Sequence, residues 1–181
     1  LATQLLARVS TRYKVLVLPG ELEEGEAATA WDLASHLRLD LPLPDMVAPL
    51  YLDSLLPLLA SLVEESADRR VRVASAELLH VLVVFMVGRS AGQSQEVAAL
   101  RSLAPLFSRL LPLLLRLSVD PDTVLQSLFS PLLTQLVHWW SRPSRGESPL
   151  TRVLLDSLLE AVCCREAGLQ ERAAHLLREF L

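Results

Sequence analysis

A serine between two glycines is the part of this sequence that comes nearest to a catalytic motif. Residues 88–92 read Gly-Arg-Ser-Ala-Gly, which satisfies the G-x-S-x-G pattern of the serine-hydrolase nucleophile elbow. In such enzymes the serine lies on a sharp strand-to-helix turn, where its hydroxyl attacks an acyl group. A valine-rich run precedes Ser90, and candidate triad partners follow it at Asp120, Asp122, Asp156, His138 and His175. We favour the alternative, a glycine at a helix end followed by small residues, because no other segments supply the strands of a central sheet.

The cysteines and histidines do not have the spacing of a metal site. Cys163 and Cys164 are adjacent, which suits neither a disulfide framework nor a zinc motif. We interpret them as small apolar residues at a helix end, in a reducing compartment. The four histidines show no ligand spacing to one another: His36, His80, His138 and His175. The sequence therefore predicts no catalytic, cofactor-binding or metal-binding residue in this chain.

Two further features could contact a partner. His138, Trp139 and Trp140 are consecutive, and we interpret them as closing the end of a helix pair rather than as an exposed aromatic platform. Short arginine runs at residues 69–72 and 142–145 could touch phosphate. Two or three arginines at a helix end more often form a solvated face, which is the interpretation we prefer.

Composition indicates what kind of fold must hold these residues. About a quarter of the 181 residues are leucine, only 5% are aromatic, and the formal net charge is −4. Low β-branched and aromatic content argues against a sheet-dominated fold. The charge balance predicts no standing affinity for nucleic acid or an anionic membrane. The best apolar window, residues 78–87, is about half of the ~20 residues that span a bilayer, so we expect no membrane segment.

Helical periodicity recurs along most of the chain and predicts an all-α fold. We expect antiparallel helix pairs at residues 46–89, 97–141 and 149–181, preceded in residues 1–45 by a helix, an acidic loop and an extended, proline-containing connector. Pair starts near 46, 97 and 150 give a period of roughly fifty residues, which is typical of an α-solenoid. Asp68 and Asp120 are the expected N-caps, with Pro121 at a first helical position. Prolines 57, 105, 112 and 131 fall inside the expected helices, where each removes a backbone donor.

A loose internal repeat supports this arrangement. The stretch DRRVRVASAELL, which begins at Asp68, is repeated in part by LQERAAHLL near the end, where Gln170 replaces Arg72. The chain opens at Leu1 and closes in an apolar run without a stop signal. We therefore expect it to be a piece of a longer solenoid, with apolar faces exposed at both ends.

Several stretches in series resemble the N-terminal HEAT region of the phosphatidylinositol-3-kinase-related kinases. They are PLYLDSLLPLLASLVEESADRRVRVASAELLHVLVVFMVG, SPLLTQLVHWW and LQERAAHLLREFL, together with Trp31-Asp32 and the connector LRLDLPLPDM. The resemblance covers roughly residues 31–181. The linkers near 90–96 and 142–149 depart from that pattern, and the first thirty residues match poorly.

The resemblance implies that the parent is a very large nuclear serine/threonine kinase. It implies recruitment to DNA double-strand breaks by the Ku heterodimer and a role in non-homologous end joining. The kinase domain, with its ATP and Mg²⁺, would lie outside this chain, so no catalytic residue is carried over. What it implies for this segment is a structural and interaction arm whose partners are neighbouring HEAT repeats and, through the whole protein, Ku and DNA ends. The alternatives are an unrelated HEAT or armadillo scaffold and, remotely, a serine hydrolase using residues 88–92.

Overall fold

The computed structural model describes residues 38–43, 46–92, 97–141 and 148–180, and its first described element is a β-hairpin. Strands β1 (Arg38–Leu43) and β2 (Met46–Tyr51) pair antiparallel, with Arg38 opposite Tyr51 and Leu43 opposite Met46. The sequence predicted an unpaired connector up to residue 45 and a helix from Met46. The backbone is extended as expected, but it pairs, because in a two-stranded ribbon every strand is an edge and tolerates proline. The helix predicted N-terminal to this connector lies outside the described residues.

Six helices follow the hairpin in the described part of the chain. They are α1 (Leu52–Glu65), α2 (Arg69–Gly92), α3 (Val97–Leu117), α4 (Thr123–Trp140), α5 (Pro149–Val162) and α6 (Ala167–Phe180). Three short turns, at residues 66–68, 118–122 and 163–166, each join two helices into an antiparallel pair. We call α1/α2, α3/α4 and α5/α6 pair 1, pair 2 and pair 3. The first helix of pair 1 begins six residues later than predicted, because β2 occupies residues 46–51.

The pairs stack in register, which makes the fold solenoid-like. The first helix of pair 3 packs on the first helix of pair 2, and the second helices α2, α4 and α6 pack in series. Each pair can bury only part of its apolar surface by itself, so stacking produces one continuous core. That core is mostly leucine and extends from Leu55 in α1 to Leu176 in α6. The all-α class predicted from composition and periodicity is confirmed.

Local chemistry explains where the helices start. The Asp68 carboxylate accepts from the Arg70 backbone N–H at 2.8 Å, as expected of an N-cap. In pair 2 the predicted cap was two residues early, because Asp122 rather than Asp120 caps α4, accepting from Val124 N–H at 3.0 Å. Pro121 accordingly lies in the turn and not in the helix. Ser148 precedes α5, and Pro149 takes the first helical position as predicted.

The four prolines expected inside helices are there. Pro57 lies in α1, Pro105 and Pro112 lie in α3, and Pro131 lies in α4. The packing of the surrounding leucines therefore outweighs the lost backbone donors. None of the helices in the described ranges has the combination of length and hydropathy that would let it span a bilayer.

Candidate functional site

The serine of the G-x-S-x-G pattern does not lie at a nucleophile elbow. Residues 88–92 form the last turns of α2, which is helical from Arg69 to Gly92. A nucleophile elbow needs a strand immediately before the serine and a sharp turn at it. The valine-rich run before Ser90 is helical instead, so the hydrolase hypothesis fails on local geometry. Our preferred alternative is also corrected in one respect, because α2 continues past Gly88.

The cysteines and histidines are dispersed over the pairs. Cys163 is exposed at the end of α5, and the half-buried Cys164 packs against the core. His80 is in α2 and faces α4, where its ring packs edge-on against Phe129 with a centroid distance of 5.9 Å. Burial lowers the pKa of the His80 imidazole. Within the described ranges no three His, Cys, Asp or Glu side chains converge as a metal site, while His36 lies outside those ranges.

The aromatic cluster at the end of α4 is largely internal. Trp140 is only 2% exposed, and its ring meets Phe107 edge-on at a centroid distance of 4.9 Å. Trp139 is half-buried against the core, and His138 is exposed. The cluster therefore closes pair 2, in agreement with the interpretation preferred from the sequence, and does not form a platform of stacked exposed rings.

The polar side chains that converge in this structure lie between neighbouring helix pairs. Between pair 1 and pair 2, the Arg72 guanidinium donates through Nε to the Val63 carbonyl at 2.9 Å and through Nη2 to Asp120. The Asp120 side chain is only 9% exposed, and its second oxygen accepts from the Asp122 backbone N–H at 2.8 Å. One arginine thus joins the end of α1, the start of α2 and the turn of pair 2.

Two more ion pairs extend this contact, which we call the first interface. Arg69 forms a bidentate pair with Asp122, at 2.6 Å from Nε and 3.1 Å from Nη2. The bond from Arg69 is the largest cause that lowers the pKa of Asp122, followed by the backbone N–H of Val124. Arg116 of α3 also pairs with Glu64 of α1 across this interface. The first interface is therefore made of opposite charges supplied by both pairs.

Gln170 in pair 3 occupies the place that Arg72 has in pair 1. Each is the fourth residue of the second helix of its pair. Gln170 Nε2 donates to the Val162 carbonyl at 3.2 Å and to the Cys164 carbonyl, as Arg72 donates to the Val63 carbonyl. The internal repeat seen in the sequence therefore corresponds to an equivalent contact, in which a long side chain of the second helix satisfies carbonyls at the end of the first.

Pair 2 and pair 3 are joined differently, at what we call the second interface. Arg172 of α6 donates through Nη2 to the Ser130 carbonyl at 2.8 Å and to the Thr134 hydroxyl at 3.1 Å. Burial lowers the pKa of Arg172, and the negative charge of Glu179 acts in the opposite direction. Thr151 of α5 donates to the Trp140 carbonyl at 2.9 Å and so ties pair 3 to the last turn of α4.

A carboxylate between two imidazoles completes the second interface. Glu179 lies 3.4 Å from His175 Nδ1 and 3.8 Å from His138 Nε2. Both histidines are more than half exposed, so solvent screens these contacts. The cationic and acidic groups here are fewer and less closely paired than in the first interface.

Sequence reasoning missed the role of the arginines. We expected residues 69–72 to form a solvated face, and Arg69 and Arg70 are exposed as expected. What sequence reasoning did not predict is that Arg69 also pairs with Asp122 and that the partly buried Arg72 pairs with Asp120. The signal was present in the sequence, because Asp120 and Asp122 follow these arginines by roughly one repeat period. Arg142 and Arg145 of the second run lie outside the described residues.

These contacts define a class of protein, a solenoid-like stack in which polar side chains join neighbouring helix pairs. The guanidiniums and carboxylates of the first interface are engaged with one another, so the arrangement joins pair 1 to pair 2.

Comparison with known proteins places this scaffold in a family. Residues 101–181 match the family model "DNA-dependent protein kinase catalytic subunit, CC1/2". Catalytic subunits of the DNA-dependent protein kinase align with most of the chain, at 37% identity over 150 residues for Dictyostelium discoideum (82% of the chain) and 34% over 169 residues for Mus musculus (93% of the chain). The Gallus gallus subunit is 33% identical over 153 residues, or 84% of the chain. The chain spans only 3–4% of the length of these relatives. The resemblance found from the sequence is thereby confirmed: the chain belongs to this family and corresponds to a short segment of such a subunit.

Proposed function

We propose that this chain is a non-catalytic structural and interaction segment, of HEAT type, within a serine/threonine protein kinase that acts on DNA double-strand breaks in the nucleus. The homology to DNA-dependent protein kinase catalytic subunits is the observation that carries this proposal. In it, the parent chain contributes the kinase domain with its ATP and Mg²⁺, and this segment contributes part of an arm. The reaction of the whole protein belongs to non-homologous end joining.

The organisation of the polar groups supports a structural role for the segment. The charges of the first interface are engaged between helix pairs, and the His and Cys residues are dispersed. In an arm of stacked pairs, each pair is held in place by its neighbour, so the orientation of one pair determines the orientation of the next.

The outer side of pair 3 supports a continuing array. Leu159 in α5 is 53% exposed although it lies among apolar residues of the same helix. In the proposed arm, a neighbouring HEAT repeat of the parent chain covers this side and buries Leu159. The Ku heterodimer and DNA ends are partners of the full-length protein. The segment contributes to their binding indirectly, because it helps to set the shape of the arm.

The decisive experiment uses the full-length protein and two substitutions in α4. Leu136→Arg places a cation in the core, because Leu136 is 1% exposed, whereas Gln135→Arg places the same group on the exposed side of the same helix. Both variants and the unmodified protein are tested for recovery with purified Ku on blunt DNA ends and for phosphorylation of a peptide substrate. We expect Leu136→Arg to reduce DNA-end recovery strongly and Gln135→Arg to leave it unchanged.

Two results would contradict the proposal. Absence of a kinase domain in the complete reading frame would remove the assignment to a kinase and leave an unrelated HEAT or armadillo scaffold as the better description. Full recovery on Ku-bound DNA ends with Leu136→Arg, in a protein shown by limited proteolysis to have lost the fold of this segment, would show that the segment does not support the arm.

A further inference from the structure

A cleft lies at the edge of the solenoid where the turns of the three pairs come together. Its volume is about 290 Å³. Its walls come from the ends of α1 and α3, the turn of pair 2, Arg72 of α2 and Glu166 in the turn of pair 3. The described part of every helix pair therefore contributes to it, and neither the kinase homology nor the joining of pairs requires such a space.

The charges around the cleft leave one carboxylate unused. Three acidic residues line it, namely Glu64, Asp120 and Glu166, and two arginines do so, namely Arg72 and Arg116. The arginines are engaged, Arg72 with Asp120 and Arg116 with Glu64. Glu166 is exposed, and no ion pair is found for it among the described residues. The cleft therefore carries one more negative than positive charge, and the excess lies on its pair 3 side.

The helix ends add to this negative potential. The last turn of α1 has no basic residue and ends in Glu64 and Glu65. The C-terminal end of a helix carries a partial negative charge from its free carbonyl groups. Since α1 and α3 both end at the cleft, their dipoles favour a cation there.

The size and the walls of the cleft restrict what this cation can be. Pockets for drug-sized ligands measure about 300–1,000 Å³, so this cleft suits one long side chain better than a larger molecule. Apolar residues also line the cleft: Val63, Leu113, Leu117, Val119 and Pro121. Lysine and arginine side chains combine an apolar stem with a cationic tip, and they bind where apolar wall and carboxylate meet.

We propose that this cleft is a docking site for a basic segment of a partner protein, which inserts one lysine or arginine side chain. The stem lies against the apolar wall formed by Leu117, Val119 and Pro121, and the cation lies beside Glu166. The first interface shapes the site, because its ion pairs neutralise the other charged groups and leave Glu166 as the group that selects a cation. This inference stands apart from the proposed kinase context, since it depends only on the cleft.

The test measures binding of short blocked peptides to the ¹⁵N-labelled chain by NMR titration. The probe is acetyl-Ala-Leu-Arg-Leu-Ala-amide, and the matched controls carry citrulline, which is a neutral analogue of arginine, or aspartate in place of the arginine. Glu166→Gln removes the selecting charge, and Asp156→Asn removes one exposed charge from α5 outside the lining of the cleft.

We expect saturable shifts of the Leu117 and Val119 amides with the arginine peptide. Citrulline should weaken this binding about two- to fivefold, which is the range of one partly exposed ion pair. Glu166→Gln should weaken binding of the arginine peptide by a similar factor and leave citrulline binding unchanged, whereas Asp156→Asn should change neither. The spectrum of each variant shows whether it remains folded.

Three outcomes would overturn the proposal. Equal affinity for the arginine and citrulline peptides would remove the role of the cation, and tighter binding of the aspartate peptide would reverse the sign of the site. Shifts that cluster away from residues 117–121 and 166, for instance along the exposed side of α5, would show that the peptide binds another surface.

Discussion

The two interfaces between helix pairs use different chemistry for the same task. At the first interface, three arginine–carboxylate pairs cross from one helix pair to the next. At the second, a single half-buried arginine donates to a carbonyl and a hydroxyl, and the histidines around Glu179 are exposed. The comparison shows that neighbouring pairs are joined by ion pairs at one junction and by bonds from an arginine to neutral acceptors at the next.

The two interfaces differ in which acceptor groups lose a partner when the arginine, Arg72 or Arg172, is removed. Without Arg72, the Asp120 carboxylate, which is 9% exposed, loses the partner of its Oδ2. Without Arg172, the Ser130 carbonyl still accepts from the Thr134 hydroxyl at 3.3 Å. Leaving a buried charge unpaired costs more than leaving a neutral acceptor with one partner fewer.

The largest expected effect comes from the aromatic closure at the end of pair 2. Trp140→Ala removes a side chain that is 2% exposed and packs on Phe107, so we expect the free energy of unfolding to fall by about 3–5 kcal/mol. The Thr151 hydroxyl of α5 donates to the main-chain carbonyl of residue 140. Because loss of the indole loosens the last turn of α4, the amides of α5 should lose hydrogen-exchange protection before those of α2. Urea unfolding and hydrogen exchange measure the two effects. The half-buried Trp139, changed to alanine, is the control, and an equal loss there would contradict the assignment of the closure to Trp140.

Arg72 tests the charged first interface. Arg72→Met should lower the free energy of unfolding by about 1–3 kcal/mol, because a nearly buried carboxylate loses its partner. Arg72→Gln should lose less, since glutamine can reach the carbonyl at the end of the first helix as Gln170 does in pair 3. Urea unfolding at about 0.05 M and about 1 M NaCl distinguishes the ion pair from the carbonyl bond, because salt screens the former. Identical losses for the two variants would mean that the bond to the Val63 carbonyl contributes nothing measurable, and a loss with Arg72→Met that does not change with salt would mean the same for the Asp120 ion pair.

Arg172 tests the second interface with the same substitution. Burial disfavours the Arg172 cation, as its lowered pKa indicates, and methionine keeps most of the stem while removing the charge. We therefore expect Arg172→Met to change the free energy of unfolding by less than about 1 kcal/mol. The measurement is the same urea series as for Arg72. A loss at position 172 as large as at position 72 would remove the distinction between the interfaces.

His80 gives the smallest expected effect, which appears as a pH dependence. Burial lowers the pKa of His80 in the folded chain below its ordinary value of 6.5, so the unfolded chain binds the proton more tightly. The contribution of neutral His80 to the free energy of unfolding is therefore fully present at about pH 7.5. It is lost as the pH falls through 6.5 towards the pKa of the folded chain. His80→Leu should flatten this part of the profile, as measured by urea midpoints at about pH 7.5 and about pH 5.5. An unchanged slope would show that another group titrates there.

Prediction from sequence succeeded where a pattern is local and repeated. Leucines at helical spacing set the helices of all three pairs, the Asp68 carboxylate caps α2 as expected, and Pro149 begins α5 directly after Ser148. It failed at residues 38–51, where the strand pairing depends on a partner segment and the prolines argued against a ladder. It also placed the cap of α4 at Asp120, because both aspartates have the same local propensity, and only the structure shows that Asp120 pairs with Arg72 while Asp122 accepts from Val124 N–H.

The candidate site was less predictable than the fold. Cleft walls come from five separate segments, and an exposed Glu166 has no signature that marks it in the sequence. The arginine run at residues 69–72 was visible, but the partners of Arg72 and Arg69 are 48 and 53 residues away. A search for opposite charges at one repeat period would have found Arg69 and Asp122, since the stacking of equivalent helices brings such positions together.

The sequence alone determined that this chain is a stack of helix pairs and a member of the family of DNA-dependent protein kinase catalytic subunits. Periodic leucine burial is a local property of each helix and needs no knowledge of neighbours. The tertiary structure decided which charges meet, because ion pairs and clefts depend on the small offsets with which one pair stacks on the next. Arg72 faces a carboxylate and Arg172 faces a carbonyl for that reason, although both are arginines near the start of a second helix.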